Sequence, residues 1–310
     1  MRKDDNLPDM RAFHSRLVLR GTLELRTSLR LGAGRDTQIE AAADLPVVKT
    51  VDGRPYIPGA SFKGAWRAAT EALLRGLPDH REKNLACISV PRDEETVPPV
   101  VCLTAAAASR LKTTPAEKWA EILDGRAAQV KDKSLDEALR ILSCRTCRLF
   151  GAPWLAGKVL IKDLLVGNGW GDLTRPAVRD GVAIDRDKRS AAPKRKYTYE
   201  IVPEGTPFEV EIAVENADDA ELGLAWLGLL AFQQGQIPLG GARSRGLGWC
   251  ELRVDWSHSQ WLTRNSLVES LFPDDPSALP GSLAEDGATK AAEWLKAFLR
   301  EIGLEGGSHE

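Results

Sequence analysis

Within the stretch AAADLPVVKTVDGRPYIPGASFKGAWR, residues 41–67, three charged residues have the types and spacing that chemistry on a phosphodiester needs. Asp44 stands alone in a loop. An extended VVKT/PYIP pair follows, and a helix starting Gly59-Ala60-Ser61 then projects Lys63 and Arg67 from one face. Helix N-termini attract anions, and two cations a turn apart can follow a phosphate backbone. The same residues also fit a structural arrangement, with Ser61 capping, Phe62, Trp66 and Ala69 buried, and Lys63 and Arg67 on the wet side.

Residues 237–249, IPLGGARSRGLGW, carry a second candidate. Gly241-x4-Gly246 has Walker-loop spacing, but Leu247 occupies the lysine position and a strand is expected next, which excludes a P-loop. What remains is a loop in which Gly240 and Gly241 expose amides, with Arg243 and Arg245 adding charge. A tight β-bulge turn is the structural alternative. Cys144-Arg145-Thr146-Cys147 has the gap of a zinc knuckle, and Cys87 and Cys102 lie upstream in an irregular stretch expected to lack its own core. Four thiolates make a closed, structural Zn²⁺ site, and His80 can stand in for Cys87. No thioredoxin-like βαβ pattern surrounds the pair, which argues against a redox CxxC. Cys250 reads as a buried small hydrophobe, and unliganded cysteines are the remaining alternative.

These residues need a framework. Residues 16–32 alternate Leu17, Leu19, Leu23, Leu25, Leu29 and Leu31 with Arg16, Arg20, Glu24, Arg26 and Arg30, the pattern of a half-buried antiparallel strand. A helix is expected from about Ser61 to Arg75, irregular chain over 78–115, helix over 116–142 and a strand from Lys158 to Val166. An exposed excursion over 168–200 follows. Then come a strand at 208–214, a helix over 218–234 with Leu222, Ala225, Trp226 and Leu229 facing inward, and a strand at 250–256. A C-terminal helix from about Thr289 to Ile302 is read as appended. The order suits an α+β, ferredoxin-like core with large insertions in a single elaborated domain, residues 1–310.

At 310 residues the chain can bury an ample core, and its 28% charged content is that of a soluble protein. No run approaches about 20 apolar residues, and the first residues lack the apolar run of a signal peptide. Cytoplasmic residence is expected, with thiols or a metal preferred over disulfides. The net charge of -2 hides an asymmetry. Residues 179–196 hold seven Lys/Arg against three Asp, while 262–310 hold nine acids against four Lys/Arg. A local basic segment in an acidic chain suits a positioned backbone contact.

Six motifs occur in a fixed order: the strand ending Gly32-x-Gly34, the DxPV loop at Asp44-Leu45-Pro46-Val47, PYIPGASFKGAWR, CRTCRLFG, GVAIDRDKR and IPLGGARSRGLG. Together, over roughly residues 16–256, they resemble the RAMP superfamily, specifically the repeated backbone subunit of type III CRISPR effector complexes. The resemblance implies an RRM-like core with a thumb hairpin (about 168–203), an insertion at about 78–157 and a helical tail at 257–310. It implies partnership with guide RNA, complementary target RNA, copies of the chain and other effector subunits. Lys63 and Arg67 match the family's KGxxR helix and would hold guide phosphates, with Gly240, Gly241, Arg243 and Arg245 meeting the same backbone. The thumb, with Arg186, Lys188, Arg189 and Lys194, would wedge into the guide–target duplex and splay a nucleotide. It is more basic and less glycine-rich than is usual in the family.

Asp44 matches the loop aspartate that slicing members need. RNA supplies its own nucleophile in the 2′-OH, so a carboxylate beside a splayed nucleotide can act as base or hold Mg²⁺ or another divalent cation. The products would be a 2′,3′-cyclic phosphate and a 5′-OH. The residues leave base and metal roles open, and metal dependence is what the resemblance implies. Two alternatives stand beside an endoribonuclease: a silent scaffold that binds guide RNA, and a guide-processing nuclease. The processing class commonly uses His or Tyr/Lys, and His14, His80, His258 and His309 all lie outside the core motifs.

Overall fold

The computed structural model describes residues 12–33, 43–77, 79–87, 102–123, 126–167, 169–170, 174–185, 190–271 and 280–304, with backbone alone at 182–185, 190–196, 268 and 270. Its elements in chain order are β1 (Ser15–Leu25), β2 (Tyr56–Ile57), α1 (Gly59–Arg75), α2 (Ala105–Thr113), α3 (Ala120–Leu123), α4 (Leu135–Ile141), α5 (Arg145–Phe150), β3 (Val159–Ile161), β4 (Leu164–Leu165), β5 (Ala177–Asp185), β6 (Ser190–Ile201), β7 (Pro207–Glu215), α6 (Asp219–Gln233), β8 (Cys250–Thr263), α7 (Arg264–Leu271) and α8 (Gly287–Glu301). The fold is α+β. Its main sheet runs β3-β7-β1-β8 with every neighbour antiparallel.

Period-two alternation explains that sheet. Leu17, Leu19, Leu23 and Leu25 of β1 join Phe208, Val210, Ile212 and Val214 of β7 on the buried face. Helices α1 and α6 cover this face: Phe62 stacks on Phe232 with centroids 4.7 Å apart, and Trp66 Nε1 donates to Ala225 O at 3.2 Å. A fully buried ion pair, Lys158 to Glu221, ties the entry of β3 to α6, and Lys158 Nζ also donates to Asn216 O at 2.8 Å. Glu221 is at the same time the reciprocal partner of Asp218 in the capping box that starts α6.

The outer face is polar. Arg16 pairs with Glu215, Arg20 and Lys162 with Glu211, and Arg26 and Arg253 with Glu24 and Glu251. The 168–200 excursion contains the two-stranded β5–β6 ribbon. Its root returns to the body where Leu29 bridges Val202 and Leu45 bridges Tyr199.

Several sequence expectations need correction. Ser61 does not cap α1. The helix begins at Gly59, whose N–H donates to the Asp163 carboxylate at 2.8 Å, so a residue over a hundred positions away satisfies that end. The long helix expected over 116–142 is broken into short pieces, α3, α4 and two 3₁₀ turns. The expected strand at 158–166 is split at Lys162-Asp163 into β3 and β4, because β4 leaves the main sheet to pair with β2. The insertion has a core of its own, in which Leu103, Ala108, Leu111, Trp119, Leu123, Leu139 and Leu142 pack together. Helix α8 is no appendage either: Ala291, Trp294 and Phe298 belong to the main core.

Two helical glycines separate packing from propensity. At Gly223 on α6 an added Cβ would meet the Trp294 carbonyl oxygen at 2.0 Å, whereas at Gly64 on α1 it would meet nothing within 4 Å. Gly223→Ala is therefore expected to destabilise the fold by about 1–3 kcal/mol. Gly64→Ala should stabilise it by roughly 0.5–1 kcal/mol. Denaturant midpoints at unchanged m-value check both signs.

Candidate nucleic-acid interface and cysteine cluster

The DxPV loop lies along the root of β6. Leu45 N–H donates to Thr198 O at 3.2 Å and Glu200 N–H to Leu45 O at 3.0 Å, a short parallel pairing. Asp44 finishes it. Its carboxylate Oδ2 accepts the Thr198 N–H at 2.6 Å and the Thr198 hydroxyl at 3.0 Å, and its own N–H donates to Thr198 Oγ1 at 3.0 Å. Those bonds, the backbone one first, hold the Asp44 pKa below the ordinary carboxylate range. Among the described residues none falls on Oδ1. An exposed, ionised carboxylate with one free oxygen thus sits at the base of a basic hairpin.

One step further along, Glu200 is buried, and it accepts the Val47 N–H at 2.9 Å and the Lys49 ammonium at 2.8 Å. Thr198 and Glu200 share one face of β6, and Tyr197 and Tyr199 share the other. The tyrosine side meets the glycine-rich turn. Arg245 Nη1 donates to the Tyr197 hydroxyl at 3.2 Å, and the Arg30 guanidinium lies 5.6 Å from the Tyr199 ring centroid.

The turn is built by close approach. Gly240 has φ of 73°, and a Cβ there would sit 2.3 Å from Arg30 O. Gly241 N–H is used, donating to Arg30 O at 2.8 Å, so its amide is not offered outward. Ala242, at φ of 58°, opens a 3₁₀ turn, Arg243–Arg245, that leaves both arginines exposed. The glycines therefore form a tight turn, and the arginines stand exposed beside it.

Lys63 and Arg67 are not on a wet face. Lys63 Nζ donates to Val159 O at 2.8 Å, and burial, then repulsion from Arg67, lowers its pKa. Arg67 donates through Nε to Glu71 at 2.7 Å, through Nη1 to Gly151 O at 2.7 Å and through Nη2 to Cys147 Sγ at 3.4 Å. Burial opposes its charge, but Glu71 outweighs that and the pKa rises. Two of its five N–H groups remain for another partner. Neither cation bonds to Asp44 or to the glycine-rich turn. Arg186, Lys188 and Arg189 lie outside the described residues, and Lys194 is placed on β6 by its backbone only.

Behind Arg67, the thiols of Cys87, Cys102, Cys144 and Cys147 all lie within 4.8 Å of one another, close enough to hold a metal ion. His80 takes no part, its Nδ1 facing Leu77 O at 3.1 Å. A tetrahedral ion with bonds of about 2.3 Å puts sulfurs about 3.8 Å apart, so the set fits with little rearrangement. Cys87 and Cys147 are already at 3.5 Å. Hydrogen bonds from Cys102, Cys147 and Cys87 draw Cys144 strongly down, while Cys87, donating to the others, is pushed up. Cys250 lies apart on β8, its thiol pushed up to about 12 by burial.

Sequence reasoning missed Arg30, Thr198, Glu200 and the tyrosine pair. The period-two run Tyr197-Thr198-Tyr199-Glu200 was the available signal, since it sends rings one way and polar groups the other.

The sequence profile of the RAMP superfamily matches residues 22–251, and the chain belongs to that superfamily. Among characterised proteins it is similar to the CRISPR system Cms endoribonuclease Csm3 of Methanocaldococcus jannaschii, 38% identical over 56 residues. That stretch is 18% of this chain and 23% of the relative.

Removing a hydrogen bond to a ligand sulfur typically weakens metal binding by about 10- to 100-fold. Arg67→Ala is expected to lose a metal ion held by the cysteines to a chelator correspondingly more readily than the parent. Unchanged affinity in a competition titration would mean that Arg67 only packs against the cluster.

Proposed function

We propose that this chain is a guide-RNA-binding backbone subunit of a type III CRISPR effector, and that Asp44 serves cleavage of complementary target RNA. The observation that carries the reading is the Asp44 carboxylate, exposed, ionised and fixed at the root of the β5–β6 hairpin. The strand order β3-β7-β1-β8 supports a ferredoxin-like, RRM-like core. The four cysteines support a structural Zn²⁺ knuckle in the insertion. The whole chain then forms one elaborated domain, working in the cytoplasm with copies of itself and other subunits.

Guide phosphates would meet Lys63, the two spare N–H groups of Arg67, and the turn of Gly240, Gly241, Arg243 and Arg245. Gly64 fits such a role, because its missing Cβ leaves the surface between the two cations open to a backbone. The hairpin, with Arg186, Lys188, Arg189 and Lys194, would part the guide–target duplex and turn one nucleotide outward. Asp44 Oδ1 is then free to take the 2′-OH proton or to hold a divalent cation. Mg²⁺, when bound, would supply charge neutralisation at the scissile phosphate.

A second reading has its own support. Oδ2 of Asp44 accepts two bonds from Thr198, so the residue also latches the loop to β6, as a scaffold without catalysis would need. Asp44→Asn separates the two, since an amide oxygen can still accept from Thr198 while the charge is gone. In an assembled complex this variant should bind RNA normally and cut matched target about 10²-fold or more slower. Normal cutting would leave Asp44 as a latch alone.

Lys63→Ala should weaken guide binding and reduce the slope of log K against log salt by about 1. An unchanged slope would remove Lys63 as a phosphate ligand.

A further inference from the structure

Three arginines gather at the aromatic face of the β5–β6 ribbon, and among the described residues none is paired with a carboxylate. Arg179 is the register partner of Tyr199, and Gly181 that of Tyr197. Direct partners in an antiparallel pair share a face, so the two tyrosines, Arg179 and a glycine lie together. Arg30 reaches the same place from the end of β1, and its Nε is buried without a hydrogen-bond partner. Arg245 arrives from the glycine-rich turn, bonded to the Tyr197 hydroxyl.

The rings form a surface. Their centroids are 5.9 Å apart with planes inclined by 34°, and both are partly exposed. A Cβ at Gly181 would lie 2.4 Å from Tyr197 Cζ, so only glycine lets that ring lie across β5. A pin holding the ribbon to the body would account for the tyrosines. It does not account for unneutralised guanidiniums around them, which repel one another and favour an incoming polyanion. A polyanion that also presents planar π-faces is a nucleic acid with unpaired bases. In a duplex those faces are covered.

We propose that Tyr197 and Tyr199 are a stacking platform for an unpaired RNA base, with Arg30, Arg179 and Arg245 meeting the flanking phosphates. The platform lies across β6 from Asp44, since Thr198 and Glu200 point the other way. It deepens the RNA-binding reading above and rests on it for the class of ligand. Stacking on aromatic side chains is tolerant of sequence, so the platform selects strandedness and not base identity.

The test uses the full chain and a labelled single-stranded oligouridylate, with two further probes: the same strand carrying one abasic nucleotide at each position in turn, and an RNA duplex. Tyr197→Ala and Tyr199→Ala should each bind the oligouridylate roughly 5- to 150-fold more weakly. Their salt slopes should stay unchanged, whereas Arg245→Ala should lose about one unit of slope. Tyr199→Phe keeps the ring and should bind as the parent does, which separates stacking from a damaged ribbon. One abasic position should weaken the parent and leave the double tyrosine variant unaffected. Parent-like binding by both Ala variants overturns the platform, as does an equal loss on duplex RNA. Failure of the parent to cut target removes the Asp44 assignment and leaves this result standing.

Discussion

Glu200 is the constraint around which the DxPV loop and the root of the β5–β6 ribbon are arranged. Its carboxylate is almost wholly withdrawn from water, and the Val47 N–H and the Lys49 ammonium satisfy it. A buried carboxylate without partners costs several kcal/mol, so the 44–49 segment cannot leave β6 while Glu200 stays charged. Asp44 and Thr198 add their bonds at the next residues of the same seam. The position of Asp44 relative to the hairpin is thus set by a residue that performs no chemistry itself. The tyrosine face follows as well, because fixing Glu200 and Thr198 inward fixes their neighbours outward.

Under the proposed reading, the composition of the main sheet leaves contacts to RNA to the loops and the hairpin. RRM domains bind single strands on the open face of a four-stranded sheet, through aromatic side chains. Here that face is covered by ion pairs linking Arg16, Arg20, Arg26, Lys162 and Arg253 to Glu24, Glu211, Glu215 and Glu251. Each exposed pair is worth only about 0–1 kcal/mol. Collectively they leave the face near neutrality and without an aromatic surface. Arg30, Arg179, Arg243 and Arg245, which have no carboxylate partner among the described residues, lie elsewhere.

Helix α1 also carries cations that reach the cysteine cluster. Arg67 and Arg75 flank Glu71, and the pair reach Cys147 Sγ and Cys87 O from the same helix that carries Lys63. A cation read as a phosphate ligand by its spacing is also bonded to a sulfur of the cysteine cluster.

Much of this was legible in the sequence. Alternation located β1 and β7, the apolar spacing of Leu222, Ala225, Trp226 and Leu229 located α6, and the CxxC pair with two upstream cysteines gave the cluster, because these signals depend on neighbours a few residues apart. The order of the motifs gave the superfamily. What the sequence could not give was every contact across long separation: Asp163 capping α1, Glu200 seizing the DxPV loop, Gly223 admitting α8, and Arg67 turned inward to the cysteines. Local pattern specifies which face of an element is apolar. Only the packed chain decides which cation meets which anion, since that choice is made by distances between segments that the sequence leaves about seventy residues or more apart.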